Sequence, residues 1–350
     1  MTLPDPSSVP TVPPGPELLD GRWLVVDTRS PAEFATGHIP GAHSVPLFDD
    51  AERAMIGTLY KHHGPSAAIE RGLETVHPKL EQLIAAAHAL HTAHPGRPMV
   101  VHCWRGGMRS GSVSWLFQEH GLPVSRLDGG YKAYRKWARE GLAAPRPYVI
   151  LGGMTGVGKT PILAALAEQG EAVLDLEGLA RHLGSAFGNL DRHRQPTTEQ
   201  FSNDVHATLE RMPGDVRRVW VEDESRRVGG VNVPEELYER MRKAPYVEVE
   251  RPDGERLDQL CAIYGGADVG ALKAAFERVR QKLGGQNVLA AHEALDRNDL
   301  RSAAAIGLRY YDKLYRHTQS RQPRARRTTF AAEGLTADEV ARALRDLAFP

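Results

Sequence analysis

The sequence predicts an α/β fold in two domains, each built around a parallel sheet. Short apolar segments alternate with helix-patterned segments through both halves of the chain, which is the order that builds parallel sheets. In each half, one apolar segment runs directly into a glycine-rich loop that a helical pattern follows. A length of 350 residues also gives each of two domains enough chain to bury its own core.

Composition narrows the class of protein. The chain is 41% hydrophobic and 25% charged, with a formal net charge of zero, and these values are ordinary for a globular protein. The N-terminus lacks a secretory pattern, and no apolar run reaches the roughly 18 residues that cross a bilayer. Two cysteines argue against a disulfide framework and for a reducing compartment. We therefore expect a cytoplasmic protein that does not bind a membrane.

The chain divides into four predicted segments. Residues 1–16 contain six prolines and are expected to form a disordered lead-in. Residues 17–140 form the first domain, residues 141–147 a linker, and residues 148–350 the second domain. Beyond about residue 254 the second domain becomes mainly helical, and its C-terminal part is partly basic.

The elements of the first domain have local signals. Ser30, Pro31 and Glu33 combine an N-cap, a proline at the first helical position and a capping box, so we predict that a helix begins there. The other predicted elements are strands at 23–26, 44–47, 98–102 and 124–127 and helices within 66–94 and 112–120.

The glycine-rich loop of the first domain carries a single cysteine. The loop reads Cys103-Trp104-Arg105-Gly106-Gly107-Met108-Arg109-Ser110. Its backbone N–H groups, the following helix N-terminus and the guanidiniums of Arg105 and Arg109 all stabilise a thiolate. Because such a thiolate is a nucleophile and a carrier of sulfur or selenium, we predict that Cys103, Arg105 and Arg109 are catalytic. The alternative is a buried structural cysteine.

The second glycine-rich loop matches the pattern of a phosphate-binding loop. It reads Gly153-Met154-Thr155-Gly156-Val157-Gly158-Lys159-Thr160 between an apolar segment, 148–151, and a helical pattern, 162–169, which is the context that the pattern requires. Its backbone binds phosphate, Lys159 adds charge, and Thr160 can hold Mg²⁺. A further apolar strand ends in acidic residues, of which we predict Asp223 as a metal ligand, with Glu222 as the alternative. An acidic strand end that faces solvent explains the same pattern. ATP, GTP and a prenyl diphosphate all fit such a loop.

A basic segment near the C-terminus is a candidate RNA-binding surface. Residues 313–332 contain six Lys or Arg and no Asp or Glu, a charge pattern typical of RNA binding. We predict that Arg321, Arg324, Arg326 and Arg327 contact RNA. A solvated basic face or a flexible loop explains the same pattern.

Two signatures in the first half resemble known families. The residues Asp27-Thr28-Arg29-Ser30-Pro31-Ala32-Glu33-Phe34 and Gly37-His38-Ile39-Pro40-Gly41-Ala42 resemble the signature of rhodanese domains, and Cys103 lies where their persulfide-carrying cysteine lies. A Cys-x5-Arg loop after a histidine also resembles the cysteine phosphatases. The upstream signature favours a rhodanese-like domain.

Almost end to end, the chain is similar to tRNA 2-selenouridine synthases, in which a rhodanese domain is fused to a P-loop domain. Two departures from the family pattern stand out: Leu183 replaces an expected arginine, and Met154 and Val157 replace small residues of the P-loop. The strings that carry the resemblance are 57–61, 103–110, 129–135, 175–180, 184–188, 222–225 and 310–312.

The resemblance implies a tRNA-modifying transferase that replaces sulfur by selenium in wobble 2-thiouridine. It implies geranyl diphosphate and selenophosphate as substrates, an S-geranyl-2-thiouridine intermediate, and Cys103 as nucleophile or perselenide carrier. A selenophosphate-supplying enzyme is an implied partner; no tightly bound cofactor is expected, and Mg²⁺ is compatible with the diphosphate. The alternatives are a rhodanese-type sulfurtransferase with an accessory NTPase, a Cys-x5-Arg phosphatase and a non-catalytic RNA-binding module.

Overall fold

A computed structural model of the protein describes residues 8–182, 194–321 and 326–348, without the side chains of 318–321. The strands are β1 (Thr11–Val12), β2 (Leu24–Asp27), β3 (His43–Ser44), β4 (Met99–His102), β5 (Val124–Leu127), β6 (Tyr148–Gly152), β7 (Ala172–Leu174), β8 (Val219–Glu222), β9 (Arg227–Val228), β10 (Val231–Asn232), β11 (Tyr246–Glu250) and β12 (Arg327–Ala331).

Helices make up much of the rest. They are α1 (Pro31–Thr36), α2 (Asp50–Val76), α3 (Leu80–Ala93), α4 (Met108–Glu119), α5 (Gly130–Ala143), α6 (Lys159–Glu168), α7 (Leu176–Ala180), α8 (Thr198–Glu210), α9 (Glu235–Lys243), α10 (Asp253–Tyr264), α11 (Val269–Arg278), α12 (Arg280–Leu283), α13 (Gly285–Asp296), α14 (Leu300–Arg321) and α15 (Ala337–Asp346). No helix in the described part of the chain is long and apolar enough to cross a membrane.

The first unit is built on a parallel sheet in the order β1-β5-β4-β2-β3. The central strands β2 and β4 are buried along their whole length, as expected for a parallel sheet covered on both faces. The predicted capping box of α1 is confirmed, because the Ser30 hydroxyl accepts from the Glu33 amide and the Glu33 carboxylate accepts from the Ser30 amide. The strand predicted at 44–47 is shorter than expected, since it includes only His43–Ser44 and Pro46 has no N–H for a ladder.

The prediction of a disordered lead-in is wrong for the described residues from 8 onward. β1 pairs with β5 at the edge of the sheet, and Val9 is only 2% exposed. The carbonyls of Pro10 and Val12 accept hydrogen bonds from Arg126 and Asp128. Prolines are tolerated here because an edge strand can use its carbonyls without needing every N–H.

The predicted boundary between the domains also needs a correction. The first unit runs to Leu142 but includes Ser202–Arg211, and the second comprises 143–201 and 212–350. Asn203 is fully buried and donates to the His38 carbonyl and the Tyr131 hydroxyl, both at 2.8 Å. Sequence reasoning placed this helix in the second domain because chain continuity gives no signal for such distant contacts.

The second unit contains a parallel sheet in the order β12-β11-β6-β8-β7. The predicted helical region is confirmed as α10–α14, which has a hydrophobic core of its own. The strand β12 and the helix α15 were not predicted. A capping box, formed by Thr336 and Glu339, was the available signal for α15.

Candidate functional site

The cysteine loop lies at the carboxyl end of β4, an interior strand of the first sheet. Ligand sites of parallel sheets form at this edge. The turn that begins α5 holds the loop, because the Tyr131 amide donates to the Cys103 carbonyl at 2.9 Å. Gly106 and Gly130 both have positive φ. A Cβ on Gly130 would lie 2.4 Å from the Gly106 nitrogen, so the close approach of the two turns requires glycine.

Cys103 is a buried thiol with a thiolate-stabilising environment. Its side chain is 3% exposed, and the Ser110 hydroxyl donates to its sulfur at 3.2 Å. Burial acts to raise the pKa of the thiol, but the Ser110 hydroxyl and amide, the charge of Arg109 and the Arg105 amide outweigh it and lower the pKa. Sequence reasoning missed the role of Ser110, although its place in the first turn of α4 was the available signal.

The two predicted catalytic arginines lie in different surroundings. Arg109 donates to the Glu33 carboxylate at 2.8 Å, so its guanidinium is fixed to the start of α1 and acts on Cys103 through its charge. Arg105 is exposed, and its backbone amide, rather than its side chain, stabilises the sulfur. An arginine held by a carboxylate weakens the phosphatase alternative, which needs that guanidinium for phosphate.

Beneath the loop lies a buried ion pair that explains the rhodanese-like signature. Arg29 is 1% exposed; its Nη2 donates to Asp27 and to the Gly37 carbonyl, both at 2.6 Å. Its guanidinium also lies 3.7 Å from the centre of the Tyr131 ring. His102 is fully buried, and that burial lowers its pKa, so its ring is neutral at pH 7. These buried residues fix the ends of β2 and β4, and Cys103 directly follows β4.

The P-loop joins β6 to α6 as predicted. Gly153 and Gly156 both have positive φ, and a Cβ on either would lie 2.6 to 2.7 Å from a backbone oxygen of Val249 or Arg256. Lys159 begins α6, and its ammonium lies 3.3 Å from the Gly153 carbonyl. The loop therefore has the backbone path and the cation that a phosphate ligand requires.

Three glutamates form a cluster beside the P-loop. Glu177, Glu222 and Glu224 each offer a carboxylate oxygen, and these oxygens lie within 4.8 Å of one another. The Thr160 hydroxyl donates to Glu177 at 3.4 Å, and the Lys159 ammonium lies 3.7 Å from Glu222. Burial and the neighbouring carboxylates raise the pKa of Glu177 to about 9 and that of Glu224 to about 8.

The cluster fits a divalent cation better than the predicted ligand Asp223 does. Glu222 is 3% exposed, and its Oε2 has no hydrogen-bond partner in the described structure. Oxygen ligands with excess negative charge are those that Mg²⁺ takes. Asp223 does not belong to the cluster, and its carboxylate accepts a hydrogen bond from the Tyr246 hydroxyl at 3.0 Å. The physical reason is the period of two in a strand, which turns Asp223 away from the side of Glu222 and Glu224.

A buried ion pair between Arg256 and Asp312 contacts the backbone of the P-loop. Arg256 is 3% exposed and donates to the Thr155 carbonyl at 2.9 Å. It also donates to both carboxylate oxygens of Asp312, at 2.5 and 3.1 Å, and to Asp253 at 2.9 Å. The string 310–312 that carried part of the family resemblance thus contains the residue that anchors this arginine.

An apolar cavity adjoins the P-loop. Its volume is about 40 Å³, and Thr155 is the P-loop residue in its lining. The other lining residues belong to α10, α11 and α14 or lie beside them: Leu260, Tyr264, Leu272, Phe276, Leu300, Ala303, Ala304, Gly307, Leu308 and Tyr311. A phosphate-binding loop therefore adjoins a hydrocarbon-lined space.

The four arginines that we predicted to contact RNA lie in different surroundings. Arg327 begins β12 and forms an ion pair with the buried Glu248, and its contact with RNA stays a prediction. Arg326 is exposed and lines a pocket. Arg324 lies outside the described residues, as do the strings at 184–188 and the position Leu183, and the side chain of Arg321 is not described.

Comparisons with known proteins match both halves of the chain. A family profile described as the tRNA 2-selenouridine synthase AAA domain matches residues 146–346, and a rhodanese-like domain profile matches residues 17–136. The tRNA 2-selenouridine synthase of Chromohalobacter salexigens is 34% identical, over 90% of this chain and 93% of the relative. That of Bordetella petrii is 36% identical, over 88% of this chain and 90% of the relative. The chain therefore belongs to the tRNA 2-selenouridine synthase family.

Proposed function

We propose that this protein exchanges sulfur for selenium in wobble 2-thiouridine of tRNA in two steps. First, the thiocarbonyl sulfur attacks C1 of geranyl diphosphate, so that a C–S bond forms, the C–O bond to diphosphate breaks, and the base loses its N3 proton. Second, the selenium of selenophosphate bonds to C2 as the C–S bond breaks and geranylthiolate leaves; water then cleaves the Se–P bond, so that selenium stays on C2 and inorganic phosphate is released. The name of the relatives supports the overall exchange.

One observation carries the assignment of the first step to the P-loop: Thr155 belongs both to the phosphate-binding loop and to the lining of the apolar cavity. A ligand that combines a diphosphate with a hydrocarbon chain matches this pairing better than a nucleoside diphosphate, whose base and ribose need polar partners. Burying the chain is favourable by about 25 cal/mol per Å² of apolar surface. A cavity of about 40 Å³ is smaller than a ten-carbon chain, so the lining side chains must move apart on binding.

The diphosphate is the leaving group, and charged groups around the P-loop stabilise its departure. Lys159 provides positive charge at the loop. Thr160 with Glu177, Glu222 and Glu224 would hold a divalent cation, which when bound neutralises charge on the departing diphosphate. The N–H groups of the loop bind the phosphate oxygens without needing to reorganise.

The second step is assigned to Cys103. The lowered pKa of the Cys103 thiol and the backbone amides of its loop favour anions, which suits a site that handles an anionic selenium donor. Geranylation favours this step, because the alkylated sulfur leaves as geranylthiolate whereas the thiocarbonyl sulfur is a poor leaving group.

Two variants should separate the steps when tRNA nucleosides are analysed by mass spectrometry. Cys103→Ser should form S-geranyl-2-thiouridine but no 2-selenouridine. Lys159→Gln should form neither from 2-thiouridine tRNA, yet should still convert tRNA that is already geranylated. The matched control is Cys261→Ser, which removes the other cysteine, on α10, and should keep both products. Loss of geranylation in Cys103→Ser would refute the division of labour, and absence of both products in the unmodified protein would refute the function.

A further inference from the structure

A basic pocket lies at the edge of the second sheet where its strands begin. Its volume is about 520 Å³. Its described lining contains six cationic residues and no Asp or Glu, the cations being Arg146, Arg217, Arg218, Arg240, Lys243 and Arg326. Glu171, which is not part of the lining, pairs with Arg218 at 3.4 Å, and an anion in the pocket would offset the charge of the remaining cations.

The order of the chain explains why these cations meet. Arg146 stands two residues before β6, Arg218 directly before β8, and Arg326 directly before β12. Because β6, β8, β11 and β12 are parallel, their first residues share one edge of the sheet. The P-loop follows the last residue of β6 and so lies at the opposite edge. The basic pocket is therefore distinct from the diphosphate site.

Two of the cations are fixed by the protein, and two are available to a ligand. Arg218 donates to the Arg345 carbonyl at 2.8 Å and Arg240 to the Ala143 carbonyl at 2.6 Å, so both hold the walls of the pocket. Arg217 and Lys243 are exposed, and no side-chain hydrogen bond or ion pair is seen for either within the described residues.

A buried hydroxyl is the second, independent indication of a ligand. Tyr148 lines the pocket and is 4% exposed, and its hydroxyl has no hydrogen-bond partner in the described structure. Burial raises the pKa of Tyr148 to about 12, so the hydroxyl keeps its proton and can donate. A buried donor without an acceptor is unfavourable, and a phosphate oxygen in the pocket would satisfy it.

We propose that this pocket binds phosphate groups of the RNA substrate, an assignment that rests on the proposed function for the identity of that RNA. The two available cations, Arg217 and Lys243, and the Tyr148 hydroxyl give the pocket more than one contact point for anions, and consecutive phosphodiesters place several negative charges in one groove. The guanidiniums also match phosphate in geometry. The pocket positions the RNA backbone and does not read its bases.

The first test removes the two available charges. Arg217→Gln/Lys243→Gln should weaken binding of 2-thiouridine tRNA at least tenfold at low salt. Because each lost phosphate contact lowers the slope of log affinity against log salt by about 0.7 to 0.9, the slope should fall by about 1.4 to 1.8. The matched control is Lys282→Gln/Arg297→Gln, which removes the same charges from exposed positions outside the pocket and should change the slope less. Equal slopes in the two double variants would overturn the proposal.

The second test changes one atom. Tyr148→Phe removes only the unpartnered hydroxyl, so the melting temperature should stay the same or rise while tRNA affinity falls roughly threefold to tenfold. Unchanged affinity would remove Tyr148 from the site.

Titration with inorganic phosphate distinguishes RNA phosphates from a small oxyanion as the ligand. If Arg217→Gln/Lys243→Gln loses phosphate binding but keeps full tRNA affinity, the pocket serves a small oxyanion and the proposal fails. If the unmodified protein binds no tRNA, the proposed function fails first.

Discussion

The Arg256–Asp312 pair should be the main support of the P-loop, and Asp312→Asn tests this with an almost isosteric change. The Arg256 side chain is 3% exposed and that of Asp312 is 11% exposed. Breaking a buried pair by neutralising one partner costs about 3–5 kcal/mol, because the other charge stays buried. Since Arg256 keeps Thr155 and Asp253 as acceptors, we expect about 3 kcal/mol.

The assay is denaturant unfolding combined with pyrophosphate titration. Asp312→Asn should lower both the free energy of unfolding and the affinity for pyrophosphate, because Arg256 positions the Thr155 carbonyl of the loop. The control is Asp253→Asn, the same change on the same guanidinium but at a carboxylate whose side chain is 79% exposed. An exposed pair contributes about 0–1 kcal/mol. If the two variants lose equal stability, the reasoning from burial is refuted.

Three further predictions follow from the two loops. Ser110→Ala should raise the pKa of Cys103 by about one to two units, the equivalent of one hydrogen bond to a charged group, which is measured as the pH profile of thiol alkylation. In EDTA, the free energy of unfolding should fall as pH rises from the ordinary glutamate value of 4.5 to about 9, because a raised folded-state pKa stabilises only while the group is protonated; Glu177→Gln should flatten this fall. Gly307→Leu should raise the KM for geranyl diphosphate roughly tenfold by filling the apolar cavity, with less effect on a five-carbon prenyl diphosphate.

Each of these predictions has a control. Ser114 lies one turn further along α4, and its hydroxyl has no partner in the described structure, so Ser114→Ala should leave the alkylation profile in place. Adding Mg²⁺ should restore stability at high pH in the unmodified protein more than in Glu177→Gln. If Gly307→Leu affects both chain lengths equally, the cavity does not hold the hydrocarbon.

Both glycine-rich loops could be predicted from sequence because their geometry is local. In each loop, a strand, a glycine turn and a helix start lie within a few residues of each other, and the predicted binding groups are mostly backbone N–H groups. The carboxylates that would hold a metal ion were harder to predict. Glu177 lies on α7 and Glu222 on β8, and no local sequence pattern predicts that their carboxylates are close together. Strand alternation separates Glu222 and Glu224 from Asp223, but it does not tell which side faces the P-loop.

The membership of residues 202–211 in the first unit could not be predicted for the same reason. Its evidence is a set of contacts such as Asn203 with His38, 165 positions apart. Within the basic C-terminal segment, charge alone does not tell which residues have partners. Arg327 pairs with Glu248 across the β11–β12 pair, whereas Arg326 lines the basic pocket.

The return of residues 202–211 to the first unit has a consequence for how the protein can be divided. Cleavage at 141–147 alone would not release a complete N-terminal half, because Ala207 belongs to the same hydrophobic cluster as Leu18, Tyr131 and Tyr134. A fragment ending at residue 142 would expose that cluster and lose the Asn203 hydrogen bonds. The first unit therefore completes its folding only after residue 211, about three fifths of the 350-residue chain, has been synthesised.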